Sequence, residues 1–440
     1  MIMLKYHFKK NAAPLLIIVP VILFLLKSTP YLGNNAQTYL DFSLIRQPLY
    51  SIFIWLFRWA HHSQFKMAMW AQGLLTLYAF LYARYWLKKH LQCRDIFIIP
   101  VFLFILVTVC FHYQMKSLDD PEGITFPLFI ITFFYLVECF KKPNFKKIIV
   151  LSGLVSLLIL ARTQFYFFYS IFIILIIYHI WKKSPQHFIL ISSFIFILFA
   201  VLTNIGDRTY HYYMNGYFSN EPFSGVLTII QPLYLAPTHA ERYFKNPEEQ
   251  YLIKILQRKI IQNNLNTYAS TSNLSSTVFF KYLNQEHDKN YLAIQGIVNR
   301  TLTGIPFKYV YKVQDSQLIA MDKLTLDMTK TLFSHNIIEN VRLYFHKVMG
   351  AMGGTAVFFF LMLFIIFALI KLCRDRKQDI STGELFIFLV LLVTLCNAQV
   401  VAVAEPNCTR YFCYTQFLLY CMGAYIANLT PKKNIFDQGS

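Results

Sequence analysis

Residues 187–205 read HFILISSFIFILFAVLTNI, nineteen positions without one charged side chain. As a helix rising 1.5 Å per residue this run covers about 28 Å, close to the hydrocarbon thickness of a bilayer. It follows Trp181-Lys182-Lys183, a basic turn of the kind retained on the cytoplasmic side of a membrane. Similar apolar runs occupy roughly 12–28, 65–86, 96–115, 123–140, 147–162, 164–181, 346–371, 383–403 and 411–429, giving about ten expected spans.

Composition agrees with this reading. The chain of 440 residues is 56% hydrophobic and only 14% charged, where a soluble chain carries about 25% charge. The 43 Phe and 29 Tyr exclude a disordered chain. The expected fold class is an all-α polytopic membrane protein. The net charge of +19 would suggest nucleic acid on a soluble protein. Here its placement along the chain excludes that partner.

Every second junction between apolar runs is basic. The residues are Lys5, Lys9 and Lys10; Arg84, Lys88, Lys89 and Arg94; Lys141, Lys142, Lys146 and Lys147; Lys182 and Lys183; Lys371, Arg374, Arg376 and Lys377; and Lys432 and Lys433. Set against Asp95, Asp375, Asp379 and Asp437, these segments carry +15 of the net charge. The positive-inside rule places them, and both termini, in the cytoplasm. An N-terminal transmembrane module (1–205), an extracytoplasmic segment (206–345) and a C-terminal transmembrane module (346–440) follow. The run Leu15 to Leu26 reads as a retained span, because Lys27-Ser28-Thr29-Pro30-Tyr31 does not resemble a signal cleavage site. The eight Cys show neither C-x-x-C nor zinc spacing. Only Cys408 and Cys413 approach the outer face, where free thiols are favoured over a disulfide. The sequons at Asn273, Asn299, Asn407 and Asn428 match chance in an Asn-rich chain. The Phe/Ile/Lys/Asn-rich composition points to a bacterial inner membrane.

Two outer parts stand out. In the first outer loop, roughly 28–64, the stretch Leu49 to Trp59 is too short to cross and suits an interfacial helix started by Pro48. The segment 206–345 reads as a small, mostly helical subdomain. Pro247-Glu248-Glu249 opens a helix with Tyr251, Leu252, Ile255 and Leu256 on one face. Asn263 to Ser276 reads as an exposed loop. No Gly-rich phosphate loop, H-E-x-x-H or G-x-S-x-G occurs.

Charged groups at a membrane boundary are functional candidates, because leaving them unpaired is costly. Five clusters fall on the outer side: Asn34-Asn35 with Tyr39 and Asp41; Arg46 to Tyr50; Asp119, Asp120 and Glu122; Arg162 with Gln164; and Glu405 with Arg410 and Tyr411. Three arginines and several carboxylates suit a phosphorylated lipid head, the guanidinium groups pairing with phosphate oxygens and a carboxylate taking a proton or orienting a sugar. Each also has a plainer reading. Asp41 and Asp120 fit as helix caps, and Arg46 and Arg162 as headgroup anchors. Arg410 can pair with Glu405. His61 and His62 suit interfacial positions more than ligation.

This order of loops resembles the GT-C superfamily of integral-membrane glycosyltransferases, especially bacterial members related to the protein mannosyltransferases and aminoarabinose transferases. In them the first outer loop typically reads Asp-Ser-x-x-Tyr-Leu, then Arg-x-Pro-x-Tyr-Pro. Here it reads Asn35-Ala36-Gln37-Thr38-Tyr39-Leu40, then Arg46-Gln47-Pro48-Leu49-Tyr50-Ser51. Asp119 to Glu122, Ala161-Arg162-Thr163 and Glu405 to Tyr411 resemble later elements of the family.

The resemblance implies a GT-C-like fold and transfer of a sugar from a polyprenyl-phosphate donor to a lipid, glycan or protein acceptor on the extracytoplasmic face. It implies Asp41, Asp119 or Asp120 as catalytic carboxylate. Asn35, Tyr39, Arg46, Tyr50, Glu122, Arg162, Gln164, Glu405, Arg410 and Tyr411 would surround the substrates. Asn35 stands where the family has Asp, and an amide cannot serve as a base. No cofactor is required, although the acidic clusters could hold Mg²⁺ or Mn²⁺ with waters. A transporter or lipid-carrier flippase, and an inactive GT-C-like scaffold, are the alternatives.

Overall fold

A computed structural model describes residues 2–33, 35–265, 276–305, 312–374, 381–404 and 409–429. Among them the chain is all-helical, with one isolated backbone bridge, Tyr31 to Ser117. The first helix, α1, is Ile2–Lys27, followed by the short α2 (Ala36–Leu40) and α3 (Pro48–Trp55) of the first outer loop. Then come α4 (Gln64–Leu91), α5 (Asp95–Ile105) continued by a π-helix (Leu106–Gln114), α6 (Glu122–Lys141), α7 (Phe145–Ala161), α8 (Phe167–Trp181) and α9 (Gln186–Asn215). The segment that follows holds α10 (Ser224–Thr228), α11 (Ile230–Tyr234), α12 (Pro247–Gln262), α13 (Ser276–Thr303) and α14 (Asp315–His335). The chain closes with α15 (Ile337–Ala351), α16 (Thr355–Arg374), α17 (Thr382–Ala404) and α18 (Cys413–Leu429).

Each apolar run of the sequence is occupied by helix, as it must be where backbone groups have no water to bond. Among the described residues four helical stretches are long and apolar enough to cross a membrane: Glu122–Lys141, Thr163–Trp181, Gln186–Asn215 and Thr382–Val403. A fifth results if the pair Ile337–Ala351 and Thr355–Phe367, bent by 84°, is one broken span. The run expected at 346–371 is therefore two helices. Gly353 and Gly354 separate them at φ 99° and 102°, a backbone region that other residues enter only with strain. α9 continues past the apolar run 187–205 to Asn215.

Burial sorts the helices into inner and outer. The apolar windows of α6 and α17 are 78% and 72% buried, against 28% for α9. Phe194, Ile197, Val201 and Leu202 on α9, and Phe359, Phe360 and Leu363 on α16, are exposed apolar side chains suited to lipid contact. The bundle core is aromatic: Phe80, Phe102, Phe126, Phe133, Phe134, Phe417 and Trp86 are all essentially inaccessible. A second core gathers Val226, Leu233, Tyr234, Ile253, Leu256, Ile294, Met328 and Leu343. It gives the segment between α9 and α15 its own hydrophobic interior. A third, small cluster of Tyr39, Tyr50, Ile54, Ile124 and Ala161 packs the outer loop onto the bundle.

At the described positions the basic junctions and the candidate clusters occupy opposite ends of the helices. At one end Asp95 takes Arg84 at 2.8 Å and Lys88 at 2.6 Å, and Lys147 meets Glu138 at 2.8 Å. At the other, the C-terminus of α9 reaches the outer loop, where Asn215 Nδ2 donates to the Phe42 carbonyl at 3.1 Å.

Candidate functional site

The outer loop is tied to the segment preceding α6 by paired backbone bonds. Tyr31 donates to the Lys116 carbonyl at 2.8 Å, and Leu118 donates to that of Tyr31 at 2.9 Å. This bridge delivers Asp119 to the start of α2. Asp119 Oδ1 accepts from the backbone N–H of Asn35 (2.6 Å) and Ala36 (2.9 Å), and Oδ2 from the Asn35 side-chain amide at 3.3 Å. A carboxylate from a distant segment thus satisfies N–H groups that a helix start leaves open. The chain presses closely here: a Cβ on Gly33 would lie 2.5 Å from Asp119 Cγ. Asn35 now has a physical reason. An amide donates to the Asp119 carboxylate, where an aspartate would oppose it.

From α2 the chain turns back so that Arg46 lies over Tyr39, its guanidinium carbon 4.7 Å from the ring centroid. Arg46 Nε donates to Thr38 Oγ1 at 2.8 Å, and Nη1 lies 3.5 Å from the Tyr39 hydroxyl. Tyr39 packs edge-on against Tyr50 at 4.9 Å. The Tyr50 hydroxyl donates to Gln72 Oε1 at 2.9 Å, and Gln72 Nε2 donates to the Ser117 carbonyl at 3.2 Å. Arg-x-Pro-x-Tyr is thereby wired through α4 to the acidic segment. Pro48 occupies the first turn of α3, as expected.

Arg162 ends α7 in an extended conformation, φ −162° and ψ 124°, which turns its side chain inward. It forms an ion pair with Glu122 in the first turn of α6, both side chains being nearly inaccessible. Its guanidinium carbon stands 4.2 Å above the Tyr411 ring. Gln164 holds that ring's backbone: its Nε2 donates to Asn397 Oδ1 at 2.5 Å and to the Tyr411 carbonyl at 3.2 Å. Asn397 Nδ2 donates to the same carbonyl at 3.1 Å.

These groups share one electrostatic neighbourhood. Burial raises the Tyr39 phenol well above its ordinary pKa, Arg46 and Arg162 oppose the rise, and Asp120 and Glu122 add to it. Tyr39 therefore remains a neutral donor. Arg46, Asp120, Glu122, Arg162 and Tyr411 are brought together around the loop helix, with Asn35, Tyr50 and Gln164 supporting them.

Asp120 and Glu122 also line a cavity of about 520 Å³. Ser117 and Gln114 join them at one end. Phe104, Ile105, Thr108 and Val109 from α5 and its π-helix form one wall, and Cys413, Gln416 and Tyr420 of α18 the other.

Other candidates lie elsewhere. Asp41 is exposed at the far end of α2 and accepts from Gln37 at 2.7 Å. His61 and His62 are exposed. Pro121, not Asp120, is the residue at the cap position of α6, and no side chain bonds there. Asn34, Glu405 and Cys408, and the side chain of Arg410, lie outside the described residues. Cys413 is buried, its Sγ accepting from Gln114 Nε2 at 3.3 Å. Among the described residues no three His, Cys, Asp or Glu are grouped to hold a metal ion.

Sequence reasoning missed Glu221. It comes from the segment beyond α9, where Gln47 Nε2 donates to its carboxylate. Burial raises its pKa to about 7, against the pull of nearby Arg46. Glu221-Pro222 belongs to no motif, and only its place before a proline in an outer segment marked it. In comparisons with known proteins the chain matches no family model, no curated protein and no solved structure.

Proposed function

We propose that this chain is a GT-C-like membrane glycosyltransferase. It takes a sugar from a polyprenyl-phosphate donor and passes it to a lipid, glycan or protein acceptor on the extracytoplasmic face of a bacterial inner membrane. In this reading about ten helical crossings leave both termini in the cytoplasm. The observation that carries the proposal is the gathering of Arg46, Arg162, Asp120 and Glu122 around Tyr39, beside a cavity lined by the same two carboxylates.

Arg46 and Arg162 each spend part of a five-donor guanidinium on a protein acceptor, and the remaining N–H groups are available to a donor phosphate. The acceptor oxygen attacks the anomeric carbon while the bond from that carbon to the phosphate oxygen breaks. The bonding pair leaves with the lipid phosphate, whose growing charge the arginines stabilise. The acceptor proton passes to Asp120. Asp120 lines the cavity, which sets its carboxylate beside the space an acceptor hydroxyl would enter. Asn35 is then no obstacle, because the charge absent from its position is supplied by Asp119 across a hydrogen bond.

The test is release of polyprenyl phosphate from a panel of polyprenyl-phosphate monosaccharides by the purified protein in nanodiscs. Asp120→Asn is expected to lower the rate by about 100-fold or more, and Asp41→Asn to leave it within about twofold. Equal rates for wild type and Asp120→Asn, or release from no donor in the panel, would sink the reading.

A further inference from the structure

The cavity beside Asp120 is graded along its length. Cys413 and Tyr420 on α18 are seven positions apart, so the space runs about 10 Å along the helix. At one end stand Asp120, Glu122, Ser117 and Gln114; at the other, Phe104, Ile105 and Tyr420. Phe104 and Tyr420 are 52% and 40% exposed on the outside of the bundle. Their rings meet edge to face at 5.5 Å and close the apolar end beside the lipid. The volume lies within the range of small-ligand sites.

One wall is the nine-residue π-helix Leu106–Gln114, a backbone form that is rare at this length and associated with functional sites. It ends at Gln114, which is 3% exposed. Gln114 Nε2 donates to Cys413 Sγ at 3.3 Å, while among the described residues no group donates to its buried Oε1. A buried carbonyl oxygen in that condition calls for a donor. The described lining contains two carboxylates, one of them already paired with Arg162, and no lysine or arginine, so the polar end favours a hydrogen-bond donor over an anion.

We propose that this cavity binds a slender amphiphile, its tail between the π-helix and α18 and its hydroxyl- or ammonium-bearing head at Gln114 and Asp120. It is thus a site for a lipid without a phosphate at that end, separate from the arginines. Binding stands on the cavity alone; naming this ligand the acceptor rests on the transferase reading.

Photoactivatable octyl glucoside, octylamine and octyl phosphate, each carrying a diazirine in the chain, test it on the full-length protein in nanodiscs. Labelled peptides are mapped by mass spectrometry. The glucoside or the amine is expected to label residues 104–109 and 416–420 about tenfold more than the phosphate, and the stronger of the two identifies the head. Val109→Trp, which fills the space, should abolish that labelling. Gln114→Leu, which removes the acceptor with little change of volume, should lower it about tenfold. Equal labelling by octyl phosphate, or unchanged labelling in Gln114→Leu, overturns the proposal. Either result is independent of whether sugar transfer is observed.

Discussion

Arg46 and Arg162 are each laid over a tyrosine ring and tied by one edge to an oxygen acceptor. The cavity next to them is lined by acceptors and apolar side chains, with no described cation. Glu122 belongs to both regions. The difference shows how a thin layer of protein at a membrane boundary can hold opposite charges without merging them. Each guanidinium is fixed in plane by an aromatic face, which suits binding a planar or tetrahedral oxyanion. The carboxylates face a space whose walls are mostly apolar.

The largest effect should come from breaking the element the two regions share. Arg162→Ala leaves Glu122 buried without its counterion, and removal of one partner of a buried pair costs about 3–5 kcal/mol. An SDS unfolding titration should show that loss, with Glu122→Gln in the same chain recovering most of it. If Arg162→Ala alone unfolds like wild type, the ion pair does not hold the two regions together.

A smaller effect is expected at the junction of α2 with Asp119. Asn35→Asp sets a second carboxylate against Oδ2 of Asp119, which now accepts from Asn35 Nδ2 at 3.3 Å. A loss of about 1–2 kcal/mol is expected, comparable to losing a helix cap. Asp119→Asn in the Asn35→Asp background restores an amide–carboxylate pair and should recover most of it. Strictly additive losses in that cycle would show that the two side chains do not interact.

A pH-dependent effect is expected at Glu221. Its folded pKa, about 7, lies above its ordinary value of 4.5 because of burial. The folded state therefore binds the proton more tightly. The associated stability is complete below about pH 4.5 and is lost as pH rises through about 7. The unfolding midpoint should fall across that window, and Glu221→Gln should flatten the fall. An identical pH profile in the variant would remove Glu221 from the buried network around Arg46.

What could be read from the sequence, and what could not, follows from the range of the interactions. Apolar runs such as 187–205 became helices because a bilayer leaves the backbone no other partner. The 346–371 run broke because two consecutive glycines permit φ values near 100°. Within the site, Arg46, Arg162, Glu122 and Tyr39 were legible as charged or aromatic groups at span ends. Asp119 read as a neighbour of Asp120, yet its partners are Asn35 and Ala36, more than 80 positions earlier. No local pattern announces that pairing. The π-helix lies within an apolar run whose composition does not distinguish it from α-helix. Glu221 became visible only when the segment after α9 folded back on Gln47.

The account rests on one assignment: the arginine region takes the anion and the cavity does not. The direct measurement is a cryo-electron microscopy structure of the protein in nanodiscs with polyprenyl phosphate added. The account predicts phosphate density within about 4 Å of the Arg46 and Arg162 guanidinium groups, at charge-assisted hydrogen-bonding range. Phosphate density at Gln114 and Asp120, with the two arginines unchanged, would contradict it.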